Sequence, residues 1–456
     1  MHITIPKPAS YIINVLESHG FEAYVVGGCV RDSILGKTPA DWDITTSARP
    51  QQIKALFPRT IDTGLKHGTV TVMMDKTGYE VTTYRIDGIY EDHRRPNDVT
   101  FTDDLKEDLM RRDFTINAMA YNDTRGLVDL FGGISDLEAG VIRCVGNPED
   151  RFDEDALRML RAVRFAGQLN FRIEPATRLA ITKKHRLLEN VSAERIQMEL
   201  LKLMISDHPE VLREAWATGL TSVFLPEFDR MMDTPQNNPH HIYTVGEHTL
   251  HAVAFIEPNP VLRLTMLLHD VGKPSTRSTD ENGIDHFYNH YQVGGEMSRE
   301  ILRRLKFDNN TIRLVSCLIE HHDIRFREPK GSGRRHVRRV IHSVGKTLFL
   351  YLLKVMEADV SAQSSYLQKE KLAILQETEE AYGEILTAMD CLTLKELKIN
   401  GNQLKELGIR EGKIIGSILN TLLTMVLENP QLNHYEYLKE LALKIYAEIL
   451  NGNADA

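Results

Sequence analysis

Hydrophobic positions change their period once along the chain. Up to about residue 147, short runs rich in apolar and β-branched residues alternate with helical stretches across Gly-bearing turns. Ala23 to Val26, Asp41 to Thr45, Thr69 to Met74 and Glu80 to Arg85 are predicted to be strands of an α/β head. From Glu149 onward apolar positions recur at helical spacing and strand signals almost vanish, which predicts a mainly helical remainder. Pro226, Pro235, Pro239 and the polar run Thr234 to Asn238 break the helical pattern near residue 235. A Gly-rich basic stretch, Pro329 to Arg339, breaks it again before a last helical segment that starts at about Tyr366. The organisation expected is a head over 1–147, a helical neck over 148–234, a third region over 235–365 and a helical tail over 366–456.

A chain of 456 residues exceeds one ordinary core, in keeping with several domains. No stretch approaches the ~20 apolar residues of a membrane span, and the N-terminus lacks a secretory pattern, so a soluble cytoplasmic protein without a membrane partner is expected. The four cysteines, Cys29, Cys144, Cys317 and Cys391, form no C-x-x-C pair and suggest neither a zinc knuckle nor a disulfide framework. The formal net charge of −9 speaks against nucleic acid only if charge is spread evenly. It is not: Arg151 to Arg195 holds ten Lys and Arg against six Asp and Glu, a local excess of four positive charges. A solvated helix surface is the alternative meaning of such a run.

The chemistry starts with Val25-Val26-Gly27-Gly28-Cys29-Val30-Arg31-Asp32, an apolar strand entering two glycines and a short helix. Glycines there let backbone N–H groups approach an anion, and the helix dipole adds to the attraction. Asp41-Trp42-Asp43 follows. Two aspartates two apart on a strand project from one face and repel each other unless a cation lies between them. Mg²⁺ activating a hydroxyl and neutralising a triphosphate is the reason to keep such a pair, and makes Asp41 and Asp43 candidate catalytic and metal residues. A solvated D-x-D turn is the alternative, and the Gly-Gly turn upstream weighs against it. Glu80 could supply a third carboxylate but is equally read as an exposed strand residue, and is left outside the set.

A further signature, Arg111-Arg112-Asp113-Phe114-Thr115-Ile116-Asn117-Ala118, follows at the expected distance. The combination resembles the bacterial and eukaryotic class of tRNA nucleotidyltransferases and the bacterial poly(A) polymerases, within the polymerase-β-like superfamily. The resemblance implies a polymerase-β-like head in which Gly28, Arg31, Asp41 and Asp43 bind triphosphate and Mg²⁺, while Arg112 and Asp113 contact the nucleotide. It continues through Glu154-Asp155-Ala156-Leu157-Arg158-Met159-Leu160-Arg161-Ala162-Val163-Arg164-Phe165, which resembles the family's nucleotide-selecting helix. Arg158, Arg161 and Arg164 recur every third residue and make a drifting stripe on an apolar background. Packed arginines need anionic or hydrogen-bonding partners, which a nucleotide would provide. By resemblance, Asp155 and Arg158 present template-like edges that accept C or A. An intrahelical Asp155 to Arg158 salt bridge is the plain alternative. Ser192-Ala193-Glu194-Arg195-Ile196 matches a further element expected to support this helix. The segment Asp87 to Thr100, with Asp92-His93-Arg94-Arg95-Pro96, resembles the loop used in switching from C to A addition, and argues against a CC-only enzyme.

From residue 240 onward come His248, His269-Asp270, His290, His321-His322 and Asp359 in that order. Leu267-Leu268-His269-Asp270-Val271-Gly272-Lys273 resembles the core of an HD domain. The resemblance implies that His248, His269, Asp270 and Asp359 ligate a metal, with His290 and His321 or His322 serving a second one. Imidazole with carboxylate suits Mn, Fe, Ni, Co or Zn and phosphoester hydrolysis. His240, His241, His251, His286, His336 and His342 are taken as structural or exposed. In the tail, Gly401-Asn402, Leu407-Gly408-Ile409, Gly412-Lys413-Ile414 and Gly416 resemble the family's terminal helical region, with Gly-bearing turns opening helices.

The function expected is addition of C, C and A to the 3′ end of tRNA from CTP and ATP, with pyrophosphate release. An enzyme adding only A, or a poly(A) polymerase, shares the same motifs. An HD metallophosphohydrolase with a nucleotide-sensing head, and a tRNA-binding chaperone without turnover, are the readings from other classes.

Overall fold

The computed structural model describes residues 2–88 and 99–452. Most of the expected Asp87 to Thr100 loop, Asp92 to Pro96 included, therefore lies outside the described residues. Contacts divide the chain into two units, Met1–Arg230 with Ile301–Phe307, and Met231–Glu300 with Asp308–Ala456.

The first unit opens with the α/β head. Its strands are β1 (Ala23–Val26), β2 (Ile44–Thr46), β3 (Thr60–Gly64), β4 (Thr69–Met74), β5 (Thr77–Thr83), β6 (Arg85–Asp87), β7 (Val99–Phe101), β8 (Met119–Asn122) and β9 (Gly126–Asp129). Seven of them form one sheet in the order β3-β4-β5-β2-β1-β8-β9, in which β2 and β5 are the parallel neighbours. β6 and β7 make a separate antiparallel ribbon. All four residues of β1 are buried, as a strand covered on both faces requires, which explains why Ala-Tyr-Val-Val shows no polar alternation.

β1 and β4 occupy the predicted residues, but two other strands are displaced. β2 begins at Ile44, so Asp41 and Asp43 sit in the extended approach to the strand instead of within it. The ladder nevertheless reaches them, because Val26 N–H donates to the Asp43 carbonyl at 3.0 Å. β5 starts three residues before the predicted Glu80 and ends at Thr83, since its pairing with β4 runs from Met74–Thr77 to Thr69–Thr82. β3, β8 and β9 carried too little alternation to be predicted.

The neck follows as helices Pro148–Glu154, Leu157–Leu169, Pro175–Lys184 and Ala193–Met204. Asp155 ends the first of these, and its Oδ1 accepts from Leu157 N–H at 3.1 Å where the second begins.

The second unit is mainly helical, with a small antiparallel pair, Arg277–Thr279 and Asp285–Phe287. Its core joins helices Asn309–His321, Arg334–Val344, Lys346–Ser361, Gln368–Thr387 and Lys413–Glu428 through Leu318, Ile341, Phe349, Leu352, Ile385, Ile418 and Leu422. The predicted break over Pro329 to Arg339 is half helix, because Arg334 onward turns Val337, Val340 and Ile341 into the core. Gly408 at φ +85° and Gly412 at φ +116° bracket the turn that opens helix Lys413–Glu428, a conformation L side chains resist.

Arg338 fastens this tail. Its guanidinium is buried and donates to the carbonyls of Leu427 (2.7 Å) and Glu428 (3.1 Å), which end that helix, and to Asp390 at 3.2 Å. Replacing Arg338 by Met strands two helix-terminal acceptors and a carboxylate, and is expected to destabilise the tail by about 2–4 kcal/mol. Faster amide exchange in Lys413–Glu428, with the head unchanged, is the readout; protection equal to wild type would refute this role for Arg338.

Candidate active site and metal centre

The Gly-Gly turn is shaped by what packs on it. Gly27 stands at φ +81°, ψ −126°, and a Cβ there would lie 3.1 Å from Arg112 Nη1. A side chain at this position meets both backbone strain and the arginine. Helix Gly28–Ile34 follows, with Arg31 buried and donating to Asn117 Oδ1 at 2.7 Å.

The paired aspartates feel one another. Asp43 keeps an exposed edge, yet its pKa is raised to about 6, first by burial of the rest of the carboxyl, then by the charges of Asp41 and Glu80, with Arg112 opposing them. Glu80 is thus part of the same electrostatic site. Strand position alone could not reveal it; the parallel pairing of β2 with β5 is what brings its strand alongside. Two neighbouring carboxylates that disfavour the ionisation of Asp43 form with it a site whose charge a divalent cation would relieve.

Two buried aspartates join the motifs. Asp108, missed by the sequence reading, accepts from Thr45 Oγ1 (3.0 Å), from Arg111 (3.0 and 2.8 Å) and from Arg112 Nη2 (3.4 Å). Burial works to raise its pKa, but Arg111 and Arg112 hold it below the ordinary carboxylate range. Asp113 accepts from Asn117 Nδ2 at 3.2 Å and from Arg161 at 2.9 and 2.6 Å. There too Arg161 overrides burial, and the carboxyl stays ionised.

The arginine stripe finds its partners inside the protein. Arg158 Nη1 donates to Glu154 at 2.6 Å and its Nη2 to the Arg111 carbonyl at 2.9 Å. Arg164 donates to Glu199 (2.5 Å) and Gln168 (2.7 Å), and Arg161 also reaches Glu199, at 3.8 Å. A nucleotide is therefore not needed to satisfy them. The plain alternative also changes: Arg158 pairs with Glu154, one helical turn away, and Asp155 pairs with Arg195 at 2.8 Å. The Ser192 to Ile196 element thus supports the helix through Arg195. The positive excess between Arg151 and Arg195 is offset in space by carboxylates from outside it, with Glu149 on Lys183, Asp113 on Arg161, Glu199 on Arg164 and Glu214 on Arg178.

The second unit brings His248, His269, Asp270, His290, His322 and Asp359 together. His248 Nε2 lies 2.8 Å from Asp359 Oδ1, and His269 Nε2 lies 3.2 Å from Asp270 Oδ2 and 3.7 Å from Asp359. Asp270 Oδ1 faces the other half, His290 Nε2 at 3.5 Å and His322 Nε2 at 3.7 Å. The ligand atoms form two groups, His248 with His269 and Asp359, and Asp270 with His290 and His322.

Tautomers follow from the outer contacts. The Nδ1 atoms of His248, His269, His290 and His322 meet the carbonyls of Ala362 (3.3 Å), Met266 (2.8 Å), Phe287 (2.8 Å) and Ile319 (2.7 Å). A carbonyl only accepts, so each Nδ1 carries a proton and each Nε2 points inward, the arrangement that leaves Nε2 for a metal once any proton there is displaced. His321 does not join: its Nε2 turns to Ser343 Oγ at 2.9 Å. Adjacent residues on a helix point about 100° apart, which separates His321 from His322.

The cluster's electrostatics call for a cation. Burial pushes His269 toward neutrality, yet Asp270 and Asp359 raise its pKa to about 10. His269 Nε2 and Asp270 Oδ2 are buried without a well-aligned hydrogen bond, although Lys273 Nζ lies 2.7 Å from the latter. A divalent ion fits these donors. His241, taken as structural, packs edge-on against His248 with ring centroids 4.9 Å apart, and with Gln236, Asn237, Asn238 and Tyr243 it lines a cavity of about 370 Å³.

Comparisons with known proteins converge. Residues 23–143 match the family model of the poly(A) polymerase head domain, 170–232 that of the RNA- and SrmB-binding site of poly(A) polymerase, and 277–442 that of tRNA nucleotidyltransferase domain 2. A CCA-adding enzyme of Ligilactobacillus salivarius is 36% identical over 458 residues, which cover 97% of this chain and 97% of that one. A CCA-adding enzyme of Enterococcus faecalis is 54% identical over 205 residues, 44% of this chain and 50% of that enzyme. The crystal structure of the Bacillus stearothermophilus CCA-adding enzyme in complex with CTP aligns over 98% of this chain and 100% of that one, with TM-score 0.73 and 29% identity. The Thermotoga maritima CCA-adding enzyme complexed with tRNA shares the fold, with TM-score 0.56 and 22% identity over 98% of this chain and 100% of that one. No helix among the described residues is long and apolar enough to cross a membrane.

The raised pKa of Asp43 gives a signed pH effect. A carboxyl titrating near 6 is protonated below that pH, so protons would compete with a divalent cation ligated by Asp43 as pH falls through it. The Mg²⁺ dissociation constant of the head is expected to rise about fourfold from pH 7.5 to 5.5. Titration calorimetry at the two pH values checks this, and equal constants at both would refute it.

Proposed function

This chain belongs to the CCA-adding enzyme family of tRNA nucleotidyltransferases, and on that premise we propose that Asp41 and Asp43 carry the nucleotidyl transfer. The observation behind this reading is the mutual repulsion of Asp41, Asp43 and Glu80 beside a Gly-Gly turn that Arg112 covers. Asp41 and Asp43 would hold Mg²⁺, which would supply charge neutralisation for an in-line displacement. The tRNA 3′-hydroxyl attacks the α-phosphate of CTP or ATP, and pyrophosphate leaves. Gly28 N–H and Arg31 face the triphosphate, and Arg112 and Asp113 the sugar and phosphates. Asp155 and Arg158 offer the base acceptors and a planar fork of donors. Each is held by another partner, Arg195 or Glu154, so the recognition edge is set before a nucleotide arrives. Arg161 and Arg164 position that helix through Asp113 and Glu199.

Purified protein given tRNA that ends before CCA should add two C residues from CTP and the final A once ATP is present. Failure to add C would leave the A-only and poly(A) readings. Asp41→Ala or Asp43→Ala should lower incorporation from both nucleotides by at least about a thousandfold. Equal retention of C and A addition would remove these residues from the site.

A second reading concerns the His/Asp cluster, favoured by the four anchored Nδ1 atoms and inward Nε2 atoms. It is an HD phosphohydrolase site in which His248, His269 and Asp359 hold one divalent ion and Asp270, His290 and His322 a second. These residues would hold Mn, Fe, Ni, Co or Zn, which would supply Lewis acidity for phosphoester hydrolysis. His269→Ala should abolish metal-dependent phosphatase activity and leave CCA addition within about twofold of wild type. Phosphatase activity that persists in this variant would move the hydrolytic site elsewhere.

A further inference from the structure

Outside the ligand set, one group of charges beside the cluster has no role in the reading above. Lys371, on helix Gln368–Thr387, is half-buried and donates from Nζ to Gln363 Oε1 at 2.6 Å. Gln363 in turn donates from Nε2 to Asp359 Oδ2 at 3.1 Å. The ammonium therefore stands one amide away from a cluster carboxylate without pairing to it. Its other contact is His240 Nδ1 at 3.1 Å, and the His240 ring leans on Tyr366 with centroids 5.0 Å apart. Among the described residues, neither Lys371 nor Arg325 has a carboxylate within salt-bridge distance. Yet the two are close enough for Arg325 to act on both Lys371 and His240.

A half-buried ammonium without a counterion is costly, and a neighbouring guanidinium adds to the cost. Burial, then Arg325, lowers the Lys371 pKa, while Asp359 opposes them. A divalent ion in the cluster would add positive charge on the far side of Gln363 and Asp359 from Lys371, and an anionic ligand offsets both. An ammonium has three protons to donate, and Lys371 spends two on Gln363 and His240.

We infer that Lys371, flanked by His240 and Arg325, binds a phosphate oxygen at the His/Asp cluster and selects phosphomonoester dianions over phosphodiesters. A monoester has three non-ester oxygens, two for the metal side and one for the ammonium, and carries close to two charges at neutral pH. A diester has two such oxygens and one charge. This inference rests on the phosphohydrolase reading for the metal side. Lys371 reaches the cluster from a helix after the last HD-pattern residue, through Gln363 and the 235–244 segment that holds His240.

The test uses the full chain loaded with Mn²⁺ at pH 8, with inorganic phosphate and dimethyl phosphate as probes in titration calorimetry and bound Mn²⁺ measured in the same samples. Wild type should bind phosphate at least about tenfold more tightly than dimethyl phosphate. Lys371→Met should lose about that factor for phosphate alone, and Lys371→Arg should recover most of it. Arg325→Gln, on the exposed side, gives a second variant with less bearing on folding and should weaken phosphate binding in the same sense. Bound Mn²⁺ with equal phosphate affinity in wild type and Lys371→Met overturns the inference and leaves the metal site standing. Equal loss for both probes assigns Lys371 a structural role and also overturns it. Bound Mn²⁺ no greater in wild type than in His269→Ala overturns the metal-site premise, whereas Lys371-dependent phosphate binding in that same protein still supports the anion site.

Discussion

The double contact of Arg161 with Asp113, at 2.9 and 2.6 Å, couples the R-R-D element of the head to the helix that carries Asp155 and Arg158. Asp113 is buried, so the cost of desolvating its charge is met only while the guanidinium stays in place. The same aspartate fixes Asn117, and Asn117 fixes Arg31 behind the Gly-Gly turn. A single buried carboxylate thus ties the Gly-Gly turn to the helix that follows Asp155. Catalysis by positioning needs this kind of rigidity, because displacement of either element by an ångström would misalign the nucleotide. Asp108 plays the complementary part, holding Arg111 and Arg112 on one side and Thr45, two residues past Asp43, on the other.

Much of the head was legible because its chemistry is local in sequence. Gly27 and Gly28, the Asp41 and Asp43 pair and Arg112 are short motifs whose geometry is set by nearby backbone. What escaped depends on pairing between distant strands. Glu80 was left aside, since an isolated strand glutamate has no distinguishing mark until β2 and β5 lie side by side. Asp108 belongs to no motif. Its burial arises from the fold around Thr45, which its own segment does not encode. The displaced bounds of β2 and β5 have the same origin, because ladder partners and not local propensity decide where a short strand ends.

The histidine set shows both sides of this rule. Its order along the chain pointed to a ligand set, and the structure gathers six of its members within contact distance. The choice between His321 and His322 depended on helix phase at a C-terminus, where a one-residue difference swings a side chain onto another face. Lys371 and His240 had no sequence signal at all. They meet because helix Gln368–Thr387 and the segment before His248 converge, and 131 positions separate them.

Local charge proved to be the weakest guide. The Arg151 to Arg195 excess suggests a surface for RNA phosphates, but Asp113, Glu149, Glu199 and Glu214 each occupy one of its cations. An arginine already bonded to a buried carboxylate gives little to a phosphate, because the nucleic acid must then displace that carboxylate and leave it uncompensated. The stripe is better understood as a device for stiffness than for affinity. By the same argument the cations that matter for anion binding are those whose folded surroundings leave them without an acid. Counting charges in a window cannot find them; following each charge to its nearest partner can.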